Sequence, residues 1–161
     1  MKRAFVDALE IRRSVIKHQW EAALRRVPVP TPLANPDTLI FMMDATLNKL
    51  FALARSRSIH QWISKHPLTG YGVGRNCRCG LNPFVAYFLA GESALVSISR
   101  AIRPHHGLTE NDILISEAEL LFALRVLGHR EINAFCEVCR VAASTKENLH
   151  QHNCPSHACT T

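Results

Sequence analysis

Apolar residues in the N-terminal part of the chain recur at helical intervals. Phe5, Leu9, Ile16 and Trp20 are four or seven residues apart, which places them on one face of a helix over about residues 4–26. Prolines then alternate with other residues from position 28 to position 32, and they favour an extended connector because proline cannot continue a helix. The pattern therefore predicts one long amphipathic helix followed by a linker.

Two Asn-Pro pairs mark the starts of further helices. Asn35 and Asn82 can each accept a hydrogen bond from the free amides of a first helical turn, and the proline after each of them lacks the amide that would be left unpaired. The spacing of the apolar residues that follow predicts helices over about residues 36–54 and 83–102.

Another helix is predicted after Thr109, which can cap it with Asp112 as the acidic partner three residues further on. Its interior, residues 113–127, is apolar around much of its circumference, as expected of a helix in the centre of a protein. Gly128 is expected to end or bend this helix. Together these segments predict an all-α fold with a helical domain over residues 1–135.

Composition and the length of the apolar runs restrict the class of protein. With 161 residues, 47% hydrophobic and 20% charged, the chain fits a single globular domain with a small appended module. The N-terminal residues lack the continuous apolar stretch of a signal peptide, and the longest apolar run, residues 84–90, is far shorter than the ~20 residues that span a bilayer. We expect a cytoplasmic protein without a membrane-spanning segment, whose six cysteines are reduced or bound to metal.

The C-terminal segment, residues 136–161, has the spacing of a zinc site. Cys136 and Cys139 form a Cys-x-x-Cys pair, and after fourteen further residues Cys154 begins a Cys-x-x-His sequence that ends at His157. A two-residue gap lets both side chains of a pair reach one ion, so the three cysteines with either His157 or Cys159 complete a tetrahedral set. His150 or His152 could substitute as a ligand. Zinc would also help to fold a segment that has few apolar residues to bury. The alternatives are a dithiol redox pair and an unliganded tail.

A second cysteine pair, Cys77 and Cys79, has the one-residue gap that is less usual for zinc. This pair could join the first site, bind another metal or belong to a plain loop. An iron–sulfur cluster held by Cys77, Cys79, Cys136 and Cys139 is a less favoured alternative, since it requires the fold to bring both pairs together.

Basic residues and a two-helix pattern indicate a nucleic-acid interface. The formal net charge is +6, and the five lysines and arginines between positions 55 and 78 have no acidic residue among them. Residues 38–66 have the form of a helix-turn-helix unit, with a turn at residues 55–56 and a short second helix over about residues 59–66. Contacts with phosphates or bases are expected from six polar side chains: Arg55, Arg57, Ser58, His60, Gln61 and Lys65. The alternatives are an ordinary helical hairpin and a solvated basic face.

These features follow one another in a definite order over about residues 38–160. A helix-turn-helix-like unit and further helices precede the sequence LFALRVL, residues 121–127, which leads to Cys136-x-x-Cys139 and then to Cys154. This arrangement resembles the FlhC-type subunit of the flagellar master transcriptional regulator. The resemblance implies a zinc-containing, DNA-binding activator that works with a small helical partner subunit of the FlhD type. The chain departs from the family at the second pair, where the family has Cys-x-x-Cys and this chain has Cys154, His157 and Cys159.

The leading hypothesis is a DNA-binding transcriptional activator with a structural zinc site, in a hetero-oligomer with a helical partner. The alternatives are a metal- or redox-responsive sensor that acts on a protein, and a small thiol-redox or metal-handling protein. Haem-attachment motifs, phosphate-binding glycine loops and nucleophile elbows do not occur in the sequence. Glu92, Glu117 and Glu119 also lack the histidine, three residues on, that a carboxylate di-metal site requires. We therefore do not expect an enzyme.

Overall fold

Helices make up the regular structure of the protein. The computed structural model describes residues 1–29, 32–56, 82–104 and 107–152, and it describes side chains as far as residue 138. Within these ranges six α-helices and a 3₁₀ turn, Pro32–Ala34, occur without any strand, which confirms the all-α prediction. The helices are α1 Arg3–Ile11, α2 Arg13–Leu24, α3 Pro36–Ile40, α4 Met43–Arg55, α5 Pro83–Arg100 and α6 Glu110–His152. None of these described helices is both long enough and apolar enough to cross a membrane.

Two of the predicted helices are each divided in two. The helix expected over residues 4–26 is interrupted at Arg12, where the backbone angle ψ is 15°, and α2 starts immediately afterwards. The helix expected over residues 36–54 is divided between Ile40 and Met43. The apolar face continues across the first interruption, because Leu9 and Ile16 are both fully buried.

The two predicted Asn-Pro caps are formed. Asn35 Oδ1 accepts a hydrogen bond from the amide of Asp37, and Asn82 Oδ1 accepts one from the amide of Phe84, each over 3.0 Å. Helices α3 and α5 begin at the proline after each asparagine. Both helices start where the sequence predicts, because these bonds join residues that are close in the chain.

Thr109 and Asp112 form a reciprocal cap at the start of α6, as predicted. The Thr109 hydroxyl accepts from the amide of Asp112, and the Asp112 carboxylate accepts from the amide of Thr109, both over 3.1 Å. The hydrogen bond from the Thr109 amide is the main cause that lowers the pKa of Asp112 below its ordinary value. The charged form of this carboxylate therefore stabilises the folded chain.

Gly128 is predicted to end or bend the helix; α6 does not end there, so the first of these alternatives is wrong. The helix continues to His152, and residues 135 and 136 lie within it without interruption. A Cβ atom at position 128 would lie 2.8 Å from Cγ of Phe88 in α5. The glycine thus allows α5 and α6 to approach each other closely.

The middle of α6 is buried, whereas its first turns are partly exposed. Leu120, Ala123 and Leu124 belong to the core, but Leu114 is 61% exposed and Ile115 is 51% exposed. The expected central position of residues 113–127 therefore holds for the middle of this segment and not for its start.

Trp20 determines how α2 packs on α5. Its Nε1 donates a hydrogen bond to the carbonyl oxygen of Tyr87 over 2.8 Å, and the two ring centres lie 4.8 Å apart. A Cβ atom at Gly91 would lie 2.6 Å from Cε2 of Trp20, so a glycine is needed where the indole meets this backbone. The Tyr87 hydroxyl lies 2.9 Å from Oγ1 of Thr46, which ties α4 to the same point. Burial raises the pKa of Tyr87, so its hydroxyl stays uncharged.

Replacement of Gly91 by alanine should lower the free energy of unfolding by about 1–3 kcal/mol, because the added methyl group overlaps a buried indole held by a hydrogen bond. Urea unfolding followed by the helical circular-dichroism signal measures the loss. Ser93→Ala is the control, since Ser93 is exposed on the same helix and alanine favours helix there. Equal stabilities of the two variants would contradict the role given to Gly91.

Replacement of Asp112 by asparagine should lower the melting temperature near neutral pH, and the difference from wild type should shrink as the pH falls below about 4. The folded-state pKa of Asp112 lies below its ordinary value. Its stabilisation is therefore present above the pKa of the unfolded chain and is lost as the pH falls through the folded-state pKa.

Thermal unfolding of both proteins at a series of pH values tests this dependence. Glu110→Gln, an exposed acidic position in the same first turn, is the control for general loss of charge. A destabilisation by Asp112→Asn that stays constant with pH would show that the charge of this carboxylate is unimportant.

Candidate functional site

Cys136 lies where the start of α5 meets α6. The residue is half-buried, and the side chain of Asn82 donates from Nδ2 to Cys136 Sγ over 3.4 Å. The same Nδ2 donates to the carbonyl oxygen of Ile132 over 3.0 Å. The first predicted zinc ligand is therefore in contact with a residue 54 positions away in the sequence.

The Asn82 carboxamide connects two helices. Its Oδ1 caps α5 through the amide of Phe84, its Nδ2 bonds to α6, and 7% of the residue is exposed. The sequence identifies Asn82 as a helix cap, but it carries no signal for the second bond because the partner is distant in the chain. Hydrogen-bond donors to a ligating sulfur are a regular part of metal sites. Asn82 thus belongs to the candidate site although sequence analysis missed it.

The rest of the predicted zinc set lies partly or wholly outside the described structure. The backbone of Cys139 belongs to α6, and positions three apart on a helix are neighbours on its surface. Residues outside the described ranges are Cys154, His157 and Cys159, together with the second pair, Cys77 and Cys79. Among the residues whose side chains are described, no group of three or more His, Cys, Asp or Glu could hold a metal ion. The zinc site stays a prediction.

Arg55 is a predicted DNA contact that falls within the described chain. Its guanidinium forms ion pairs with Glu10 and with Asp7 of α1, the latter over 3.1 Å. Hydrogen bonds from Arg55 to Glu10 and then to Asp7 raise the pKa of Arg55. Two carboxylates therefore compete with a phosphate for the positive charge of this side chain. The other predicted contacts lie outside the described residues: Arg57, Ser58, His60, Gln61 and Lys65.

Two of the glutamates considered for a di-metal site form ion pairs. Glu92 Oε2 accepts from Arg125 Nε over 3.0 Å, which joins α5 to α6. Glu119 Oε2 lies 2.6 Å from the ammonium group of Met1. Both carboxylates therefore contribute to the packing of the described helices.

Several basic side chains of the described surface have no acidic partner there. Arg26, Arg100, Arg103 and Arg130 are exposed, and none of them forms an ion pair with another described residue. Uncompensated positive charge attracts phosphates and raises the rate at which they are encountered. These arginines lie outside the predicted helix-turn-helix unit, so they would add general attraction to any contacts made by that unit.

Comparison with known proteins supplies no relative from which a function could be transferred. No protein-family model matches the chain, and no curated protein or solved structure matches it. The resemblance to the FlhC type therefore rests on the cysteine spacing and helix order of this chain. Any function has to be argued from the chemistry of its own sites.

Proposed function

We propose that the protein is a DNA-binding transcriptional activator with a structural zinc site and a helical partner subunit. The observation that carries the proposal is the hydrogen bond from Asn82 to Cys136, which links a predicted zinc ligand on α6 to the start of α5. A thiolate at this point would receive an N–H donor, as ligating sulfurs commonly do. Zinc bound there would join the C-terminal segment to the helical core and contribute to its folding.

The end of α4 supports the DNA-binding part of the proposal. This helix ends at Arg55, and Ser56 is extended, with φ −67° and ψ 133°, at the position predicted for the turn of a helix-turn-helix unit. The ion pairs of Arg55 with α1 would hold the first helix of that unit in place. The residues proposed to reach DNA then follow the turn, from Arg57 to Lys65.

Exposed apolar side chains support a protein partner. Phe41 is 86% exposed, Ile11 82% and Val138 68%. Aromatic side chains are enriched at protein interfaces, and burial of such groups against a second subunit is favourable by about 25 cal/mol per Å² of apolar surface. A hetero-oligomer with a helical subunit is the proposed assembly.

The purified protein should contain about one zinc ion per chain. Serine at Cys136, Cys139 or Cys154 should remove the metal and lower the melting temperature, because binding energy at such a site contributes to folding. Elemental analysis and thermal unfolding measure the two effects, and Cys77→Ser is the control that should retain zinc. Comparison of His157→Ala with Cys159→Ser identifies the fourth ligand. A metal-free protein whose stability is unchanged by Cys136→Ser would rule out the site.

The variant Asn82→Asp tests whether the hydrogen bond from Asn82 to Cys136 contributes to zinc binding. Aspartate keeps an oxygen that can accept from the Phe84 amide, but it replaces the N–H donor beside Cys136 with a negative charge. Zinc affinity, measured by competition with a chelator, should fall by about 10- to 100-fold, as for other lost outer-shell partners. Asn35→Asp at the equivalent cap of α3 is the matched control and should leave zinc affinity unchanged.

Affinity for duplex DNA should fall steeply with salt concentration, because contacts with phosphates release counterions. Lys65→Ala should weaken binding to all duplexes alike and reduce the salt slope by about one unit. Arg57→Ala or Gln61→Ala should instead change the sequence preference if these side chains contact bases. Fluorescence anisotropy with the full chain, alone and together with its co-purified partner, measures these effects.

Arg26→Ala is the control for that experiment, since it removes an exposed positive charge outside the proposed unit. Arg55 is left unchanged, because its replacement would also break the ion pairs with α1. If no duplex is bound at low salt, with or without the partner, the DNA-binding proposal fails and the sensor hypothesis takes its place.

A further inference from the structure

An apolar cavity of about 430 Å³ lies between α2 and the first half of α5. It can be reached from solvent, because Val27 is 37% exposed and Leu89 is 43% exposed. Most of its wall is supplied by α2, the turn after it and α5: Ala23, Leu24, Val27, Ala86, Leu89 and Ala90.

The spacing of the two helices beside the cavity is set by a neighbouring contact. Helices α2 and α5 are locked where Trp20 meets Gly91, and the indole is held there by its bond to Tyr87. Ala23 lies three positions after Trp20 and Ala90 lies next to Gly91, so small side chains face the space beside a rigid crossing. A closer approach of α2 and α5 at the cavity would disturb that crossing.

The described side chains that line the cavity offer no charged partner to a ligand and little hydrogen-bonding capacity. None of the described residues that line it is charged, and Pro28 and Pro83 lack the amide that could donate a bond. Asn82 is the polar member of the wall, but its Oδ1 already accepts from Phe84 and its Nδ2 already donates to Ile132. An ion would lose hydration here without compensation from a charged side chain among the described wall residues. A molecule without charge or buried polar groups would not incur this loss.

The size of the cavity favours a small molecule over a protein side chain. A cavity of about 150 Å³ is enough to bind benzene, and ligand sites of proteins usually measure about 300–1,000 Å³. An indole has one and a half times as many ring atoms as benzene. Even a tryptophan from a partner would therefore leave much of a 430 Å³ space empty. A molecule with two or three linked rings would fill it better.

We infer that this cavity is a binding site for an uncharged, lipophilic small molecule. The wall residues of α2 and α5 provide apolar contact, and hydrophobic transfer from water provides the free energy. Ligand binding in this cavity would require neither zinc nor DNA.

Titration of the full chain with N-phenyl-1-naphthylamine, an uncharged three-ring probe that fluoresces in apolar surroundings, tests the inference. We expect saturable binding with one site per chain. Ala86→Phe should weaken it by about tenfold or more, a loss of ~1.4 kcal/mol or more, because the new ring occupies the cavity. Ala52→Phe is the matched control, since it adds the same ring at an exposed position of α4 and should leave probe affinity unchanged.

The second variant, Ala23→Leu, fills the cavity from the opposite wall and replaces Ala86→Phe if that protein does not fold. Circular dichroism checks the helix content of each variant. Absence of saturable binding by the wild-type chain would overturn the inference. Equal affinities of wild type and a folded cavity-filling variant would overturn it as well, because the probe would then bind elsewhere.

Discussion

The indole of Trp20 lies directly on the backbone of α5, at the one turn where Gly91 leaves room for it. Its N–H group donates a hydrogen bond to the carbonyl oxygen of Tyr87, so a directional bond accompanies the apolar contact. The Tyr87 hydroxyl then reaches Thr46 of α4. One turn of α5 thereby holds α2 and α4, and a change of one methyl group at Gly91 would disturb both helices.

A second close approach places α6 on another face of the same helix. Phe88 packs where Gly128 has no side chain, and the ion pair of Glu92 with Arg125 joins the two helices further along. Helix α5 is therefore in contact with three others, and the position of its first residues follows from these crossings. Asn82 stands at that end, which explains how it comes to lie beside Cys136.

The proposed zinc site and the apolar cavity share one end of α5. Asn82 lines the cavity and also donates to the sulfur of Cys136, so the same buried side chain borders both. Its polar atoms are bonded to α5 and to α6, so the one polar side chain among the described residues of the cavity wall is already satisfied.

The sequence by itself determined the helical class, the caps at Asn35, Asn82 and Thr109, and the buried face of the first two helices, because each depends on residues a few positions apart. Tertiary structure decided the rest. Gly128 does not end a helix. A glycine is needed there because Phe88 of α5 packs against this position. Arg55 belongs to a basic cluster in the sequence, yet it is neutralised by acidic residues of α1. The bond between Asn82 and Cys136 spans 54 positions, and no periodicity or spacing rule connects residues that only the packing of whole helices brings together.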